Sequence, residues 1–172
     1  MVDIEIESLE DARERAEQYI KECYNNMQEL TSEADDELPY KEREFFKAIW
    51  HASTEILPAL EVQVVIDGKN DCYVTTGSSG YVEFGMQAPV GMSLPIKCWI
   101  HTHPFGAAYF SGVDWGTVNI WKSLMQEAYV LGGVEHYGYW NNSQPNLLMI
   151  RYLDENGLET FRGQVQPERE EE

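Results

Sequence analysis

Basic residues are scarce in this chain. Twelve Lys and Arg stand against thirty Asp and Glu in 172 residues, a formal net charge of -18. Nucleic-acid affinity depends on Lys and Arg neutralising phosphates, so that balance argues against a nucleic-acid partner. Long apolar runs are also missing. No stretch approaches the roughly 20 consecutive apolar residues of a membrane-spanning helix. The first residues, Met1 to Leu9, are acidic and lack the basic and apolar regions of a secretory signal, so the expected address is cytoplasmic. Cysteine is limited to Cys23, Cys72 and Cys98, odd in number and widely spaced. That pattern fits neither a disulfide framework nor a CxxC metal knuckle, and free buried thiols are expected.

What is present is the material of a hydrophobic core. Apolar residues make up 43% of the chain, with five Trp and ten Tyr, a composition that suits one globular domain. The acidity has two readings. One is adaptation to high salt, where the Debye length falls to roughly 3 Å at 1 M and carboxylate repulsion is screened. The other is an ordinary acidic protein with acidic tails. Acidic residues run through the whole chain and Lys is scarce, which favours the first.

The apolar pattern changes period along the chain. Leu9, Ala12, Ala16, Ile20, Cys23 and Met27 recur at spacings of three and four, predicting an amphipathic helix from Leu9 to Leu30. An acidic linker, Thr31 to Pro39, follows. A second helix is expected over Lys41 to Leu57, with Phe45, Phe46, Ile49 and Trp50 inward and Pro58 as its stop. Strands are then expected at Leu60 to Ile66 and Asp71 to Thr76, joined by an Asp67-Gly68 turn. Further strands are expected at Tyr81 to Met86 and Ile96 to His103. A Gly/Ala-rich loop spans Pro104 to Phe110, and Val118, Trp121, Met125 and Ala128 predict a helix over Asp114 to Ala128. Tyr129 to Leu131, Val134 to Tyr139, Leu147 to Tyr152 and Leu158 to Phe161 complete the strands, and Gln164 to Glu172 is expected to fray. The sum is an α+β chain with a largely antiparallel sheet. Its expected organisation is an N-terminal helical extension and linker (1–40), a main domain (41–163) and an acidic tail (164–172).

Two of the four histidines share one tripeptide, His101-Thr-His103. Side chains at i and i+2 of a strand project from the same face, so both imidazoles face one way at the strand's end. Pro104 fixes the chain just beyond. Ser111 followed three residues later by Asp114 is a helix-start signal, and a carboxylate in the first helical turn can reach back to the histidines. Two imidazoles and one carboxylate leave a coordination position open, as a catalytic zinc requires.

The run His101-Thr-His103-Pro104, six residues, then Ser111-Gly-Val-Asp114 resembles the signature of the JAMM/MPN-plus metalloproteases. The resemblance covers roughly Phe45 to Phe161. It implies a cytidine-deaminase-like MPN fold, Zn2+ held by His101, His103 and Asp114, and Ser111 stabilising a tetrahedral intermediate. It also implies an upstream glutamate acting on water. Glu61, in Glu61-Val-Gln-Val-Val-Ile-Asp-Gly68, takes that place, although Val64 stands where family members usually have Gly. Glu55, inside the expected second helix, is the alternative.

The implied activity is hydrolysis of an amide bond in a peptide or a ubiquitin-like protein. A virion- or phage-tail-associated peptidase and a catalytically silent MPN scaffold are the alternatives, with the N-terminal helix as a docking element for a protein partner. His51 and His136 lack partner patterns and are expected to be structural or surface residues. Tyr129, Tyr137, Tyr139 and Trp140 are expected in core and sheet surface. The loop Phe105 to Phe110, beside the ligands, is expected to touch substrate, through Tyr109 and Phe110 among its residues.

Overall fold

The computed structural model describes residues 7–31, 43–76, 92–133, 136–153 and 156–167. Among them the chain forms α1 (Leu9–Thr31), α2 (Arg43–His51), a π-helical turn (Ala52–Ile56), β1 (Val62–Ile66), β2 (Cys72–Thr76), β3 (Ile96–Thr102), α3 (Gly112–Trp121), β4 (Met125–Leu131), β5 (Tyr137–Asn141), β6 (Leu147–Leu153) and β7 (Glu159–Val165). The α+β class is as expected. The strand expected at Tyr81 to Met86 and nearly all of the acidic linker lie outside the described residues.

The strands form one sheet in the order β2-β1-β3-β4-β5-β6-β7. Neighbours are antiparallel except β3 and β4, which run parallel with Ile96 beside Met125 and Thr102 beside Leu131. A parallel pair needs a crossover, and α3 lies within it. Alternation along the strands then builds two cores. One face presents Val62, Val64, Ile66, Cys98, Ile100, Tyr129 and Leu131 to α1 and α2. The other presents Val65, Trp99, Ala128, Val130, Trp140 and Leu148 to Trp115, Val118 and Trp121 of α3. Buried on both faces, β1 reads as a nearly unbroken apolar run, Val-Gln-Val-Val-Ile.

Helix α1 starts where Ser8 Oγ accepts the Asp11 N–H at 3.1 Å, with Glu10 and Asp11 in its first turn. Ala12, Ala16, Ile20 and Tyr24 are buried in the first core, and the Tyr24 hydroxyl donates to the Asn70 carbonyl at 2.6 Å. The expected N-terminal extension is therefore a structural wall of the domain. Its apolar stripe faces the chain's own sheet.

Three boundaries differ from expectation. The second helix becomes a π-helical turn from Ala52, a local widening the apolar spacing does not signal. Helix α3 stops at Trp121, and Met125 and Ala128 lie in β4, where pairing with β3 outweighs their helical spacing. Strand β7 reaches Val165, taking Gln164 out of the expected tail by pairing it with Leu148. The Asp67-Gly68 turn forms as expected, with Asp67 N donating to the Asp71 carbonyl at 3.0 Å. Glycine is needed at 68 because a Cβ there would lie 3.0 Å from the Pro95 carbonyl oxygen and 3.2 Å from that of Ser93.

Candidate metal centre

The two histidines reach the site by different routes. His101 is the penultimate residue of β3 and projects from the α3 face, stacked on Trp99 at 4.4 Å between centroids. His103 lies just past the strand, where its N–H donates to the Leu131 carbonyl at 2.8 Å. That bond carries the β3–β4 pairing one step beyond the ladder and holds the second imidazole beside the first. Asp114 arrives from the start of α3. Ser111 caps that helix reciprocally: its Oγ accepts the Asp114 N–H at 3.2 Å, and Asp114 Oδ2 accepts the Ser111 N–H at 2.9 Å. The capping signal and the ligand signal thus fall on the same two residues.

The donors converge. His101, His103 and Asp114 each offer one ligand atom, all within 4.8 Å of one another. Asp114 Oδ2 lies 3.2 Å from His101 Nε2 and 3.1 Å from His103 Nε2. The first contact lacks hydrogen-bond geometry, and His101 Nε2 and Nδ1 are buried without a hydrogen-bond partner among the described residues. Such atoms are costly to bury, and a bound cation would satisfy Nε2. His103 Nδ1 lies 2.8 Å from the Ala107 carbonyl. Donation there selects the tautomer whose Nε2 keeps its lone pair for a metal. The residues therefore fit a divalent cation, with two imidazoles and one carboxylate as first ligands.

Electrostatics agree with the geometry. Burial alone would raise the Asp114 carboxyl, but the nearby charge of His101, with hydrogen bonds from His103 and the Ser111 N–H, holds it well below the usual carboxylate range. Burial likewise works to lower the His103 imidazole. Asp114, the Ala107 carbonyl and the charge of Glu61 together outweigh it and raise that group above its ordinary value.

That last influence locates Glu61. The antiparallel register between β1 and β3 pairs Gln63 with His101. Glu61, two residues before Gln63 and half-buried, lies close enough for its charge to act on His103. Glu55 sits elsewhere. It is exposed on the π-helical turn and lines a groove with Tyr19 and Cys23 of α1.

The rim is apolar. Phe105, Tyr109 and Val113 are 80%, 48% and 76% exposed, and the Tyr109 ring meets His103 edge-on at 5.3 Å. Phe110 departs from expectation. It is 2% exposed and packs against Trp115, Trp99 and His101, so it backs a ligand and does not face a substrate.

Sequence reasoning missed three supports, because each acts on a segment remote from it along the chain. Gln164 of β7 accepts the Phe110 N–H at 2.9 Å and donates to the Phe110 carbonyl at 2.8 Å. Gly132 lies so close to the metal loop that a Cβ would come 2.9 Å from Ala108 N. Gln63, beside His101 across the ladder, is 2% exposed. None carries a local motif.

The remaining histidines and aromatics fall largely as expected. His51 is exposed against Tyr19 and His136 packs near Tyr152, while Tyr129 and Trp140 are buried and Tyr137 and Tyr139 partly so. All three thiols are free, but only Cys98 is fully buried. Burial pushes the Cys72 thiol up to about 12, which suits an inert group. No helix among the described residues is long and apolar enough to cross a membrane. The chain matches no protein-family model, no curated protein and no solved structure, so the reading of this site rests on its own geometry.

Proposed function

We propose that this chain is a zinc-dependent hydrolase of the JAMM/MPN-plus kind, with the cytidine-deaminase-like MPN fold, that cleaves an amide bond in a peptide or ubiquitin-like protein. The observation that carries this reading is the convergence of His101, His103 and Asp114 at the start of α3, with the charge of Glu61 acting on His103. The motif run from His101 to Asp114 supplies the family and the substrate class. The single parallel pair, with α3 between its strands and the ligands at its end, supports the fold assignment.

A zinc ion held by these three residues would supply a Lewis acid that lowers the pKa of bound water towards about 7. In this reading the Glu61 carboxylate takes a proton from the attacking water and returns it to the leaving amine. Ser111 Oγ already accepts the Asp114 N–H. Its own O–H has no acceptor among the described residues and can donate to the oxyanion that develops on the scissile carbonyl. Phe105, Tyr109 and Val113 offer exposed apolar surface to an extended peptide beside the ligands.

The test is elemental analysis of protein purified without chelator, combined with an amide-hydrolysis assay on a ubiquitin-like C-terminal conjugate. We expect about one zinc per chain, lost in His103→Ala. Glu61→Gln should keep the metal and lower turnover by about 10²–10⁴-fold, whereas Glu55→Gln should keep both. Iron in place of zinc would overturn the metal identity. A folded wild type that takes up no metal when zinc is added would leave a scaffold that only binds partners.

A further inference from the structure

Thr102 stands between the two histidine ligands and points the other way. Strand alternation turns His101 towards α3 and Thr102 towards the π-helical turn. There it meets Ser53, and both residues are fully buried. The Val62 N–H donates to Thr102 Oγ1 at 2.9 Å. Thr102 Oγ1 and Ser53 Oγ are 2.8 Å apart, and Ser53 Oγ donates to the Leu60 carbonyl at 2.5 Å.

Donor accounting gives these bonds a direction. Each hydroxyl has one proton. Ser53 spends its proton on Leu60, so Thr102 must donate to Ser53, and Thr102 is left to accept from Val62. The result is a closed relay from the Val62 N–H through Thr102 and Ser53 to the Leu60 carbonyl, with the Leu60 N–H also donating back to the Ser53 carbonyl at 3.2 Å. Leu60 and Val62 are the two neighbours of Glu61. The chain just before them is strained, with Ala59 at φ 54°, a conformation L-residues rarely adopt.

Resting on the hydrolase reading above, we infer that Ser53 and Thr102 are positioning residues that hold Glu61 in register with the ligand end of β3. One hydroxyl lies in the ligand tripeptide itself, so the metal strand and the segment bearing the proton-transfer group are tied at a single point. The π-helical turn has its purpose here: it brings Ser53 within reach of both Thr102 and Leu60.

The experiment compares zinc-loaded wild type, Thr102→Val, Thr102→Ser and Ser53→Ala. We expect one zinc per chain in all four. The Val62 amide should exchange at least tenfold faster in Thr102→Val and Ser53→Ala, with no change at Val130 in β4. In the same two variants kcat for amide hydrolysis should fall 10–100-fold with KM within twofold, and Thr102→Ser, which keeps the hydroxyl, should recover both readouts. In a Glu61→Gln background Thr102→Val should lower the residual rate no further. Unchanged Val62 exchange in a folded Thr102→Val, or a full additional loss in the Glu61→Gln background, would overturn the inference. If Thr102→Val does not fold, Ser53→Ala decides the same points. If the zinc-loaded wild type cleaves no amide while Val62 exchange responds as expected, the tie between the strands stands and the hydrolase reading fails.

Discussion

Asp67 shows how much one buried carboxylate can organise. It is fully buried at the end of β1, where Oδ1 accepts the Lys69 and Asp71 N–H groups and Oδ2 accepts that of Ser93, each at 2.9 Å. Burial works to raise this carboxyl, but the three N–H donors win and hold it below its usual value. A depressed native pKa means stability that is present above the unfolded value of about 3.9 and is lost as pH falls through the lower native value. Asp67→Asn keeps one acceptor oxygen and turns an NH2 towards a donor, so urea unfolding at pH 7 should show a loss of about 1–3 kcal/mol. The gap between wild type and variant should narrow as pH is lowered below about 4. A gap that stays constant on acidification would show that the carboxylate's charge is not what holds this turn.

Elements act on the site through their ends. The loop from Pro104 to Phe110 has little secondary structure, yet its last residue is held at two points by Gln164 of β7. Two neutral hydrogen bonds contribute about 1–3 kcal/mol together. Gln164→Ala should therefore speed amide exchange at Phe110 about tenfold or more, by hydrogen-exchange mass spectrometry or NMR, and, on the proposed reading, should weaken metal uptake because Phe110 backs His101. Exchange at the wild-type rate would mean that packing against Trp115 alone holds the loop. Helix α1 acts on a larger scale, since Ala16, Ile20 and Tyr24 are buried against the sheet. Each large apolar side chain contributes about 1.5–3 kcal/mol on burial, against a total stability of about 5–15 kcal/mol. A chain lacking residues 1–31 should lose its cooperative thermal transition. A truncated protein that melts near the wild-type temperature would show that α1 is not needed to hold the domain together.

The whole molecule carries a formal charge of -18, and its compact state must bear that self-repulsion. Raising ionic strength from 0.1 to 1 M shortens the Debye length from about 10 to about 3 Å. If the acidity is an adaptation to salt, the melting temperature should climb over that range by several degrees in scanning calorimetry, about 2–4 °C for each kcal/mol gained in a chain of this size. A flat profile would favour the ordinary acidic protein. The same field favours cations and opposes anions at the candidate metal centre.

The convergence of His101, His103 and Asp114 was legible in the residues because its signals are local. Alternation along one strand puts His101 and His103 on one side, and a capping box puts Asp114 in the first turn of a helix, so three ligands could be named within fourteen residues. The α+β class and the Asp67-Gly68 hairpin were legible for the same reason. Where backbone pairing crosses the chain, local pattern loses its authority. Met125 and Ala128 have helical spacing but pair with β3, and Gln164 looks like tail but is held by β6 and Phe110. The surroundings of Glu61 and Glu55 also needed the fold, which brings the charge of Glu61 to bear on His103 and leaves Glu55 exposed on the π-helical turn. Tertiary contact likewise decided that Phe110 is core, that α1 is a wall of the domain, and that Ser53 and Thr102 meet at all. A hydrogen bond between residues 49 positions apart has no periodicity to betray it, and its geometry exists only once the sheet has brought the two segments together.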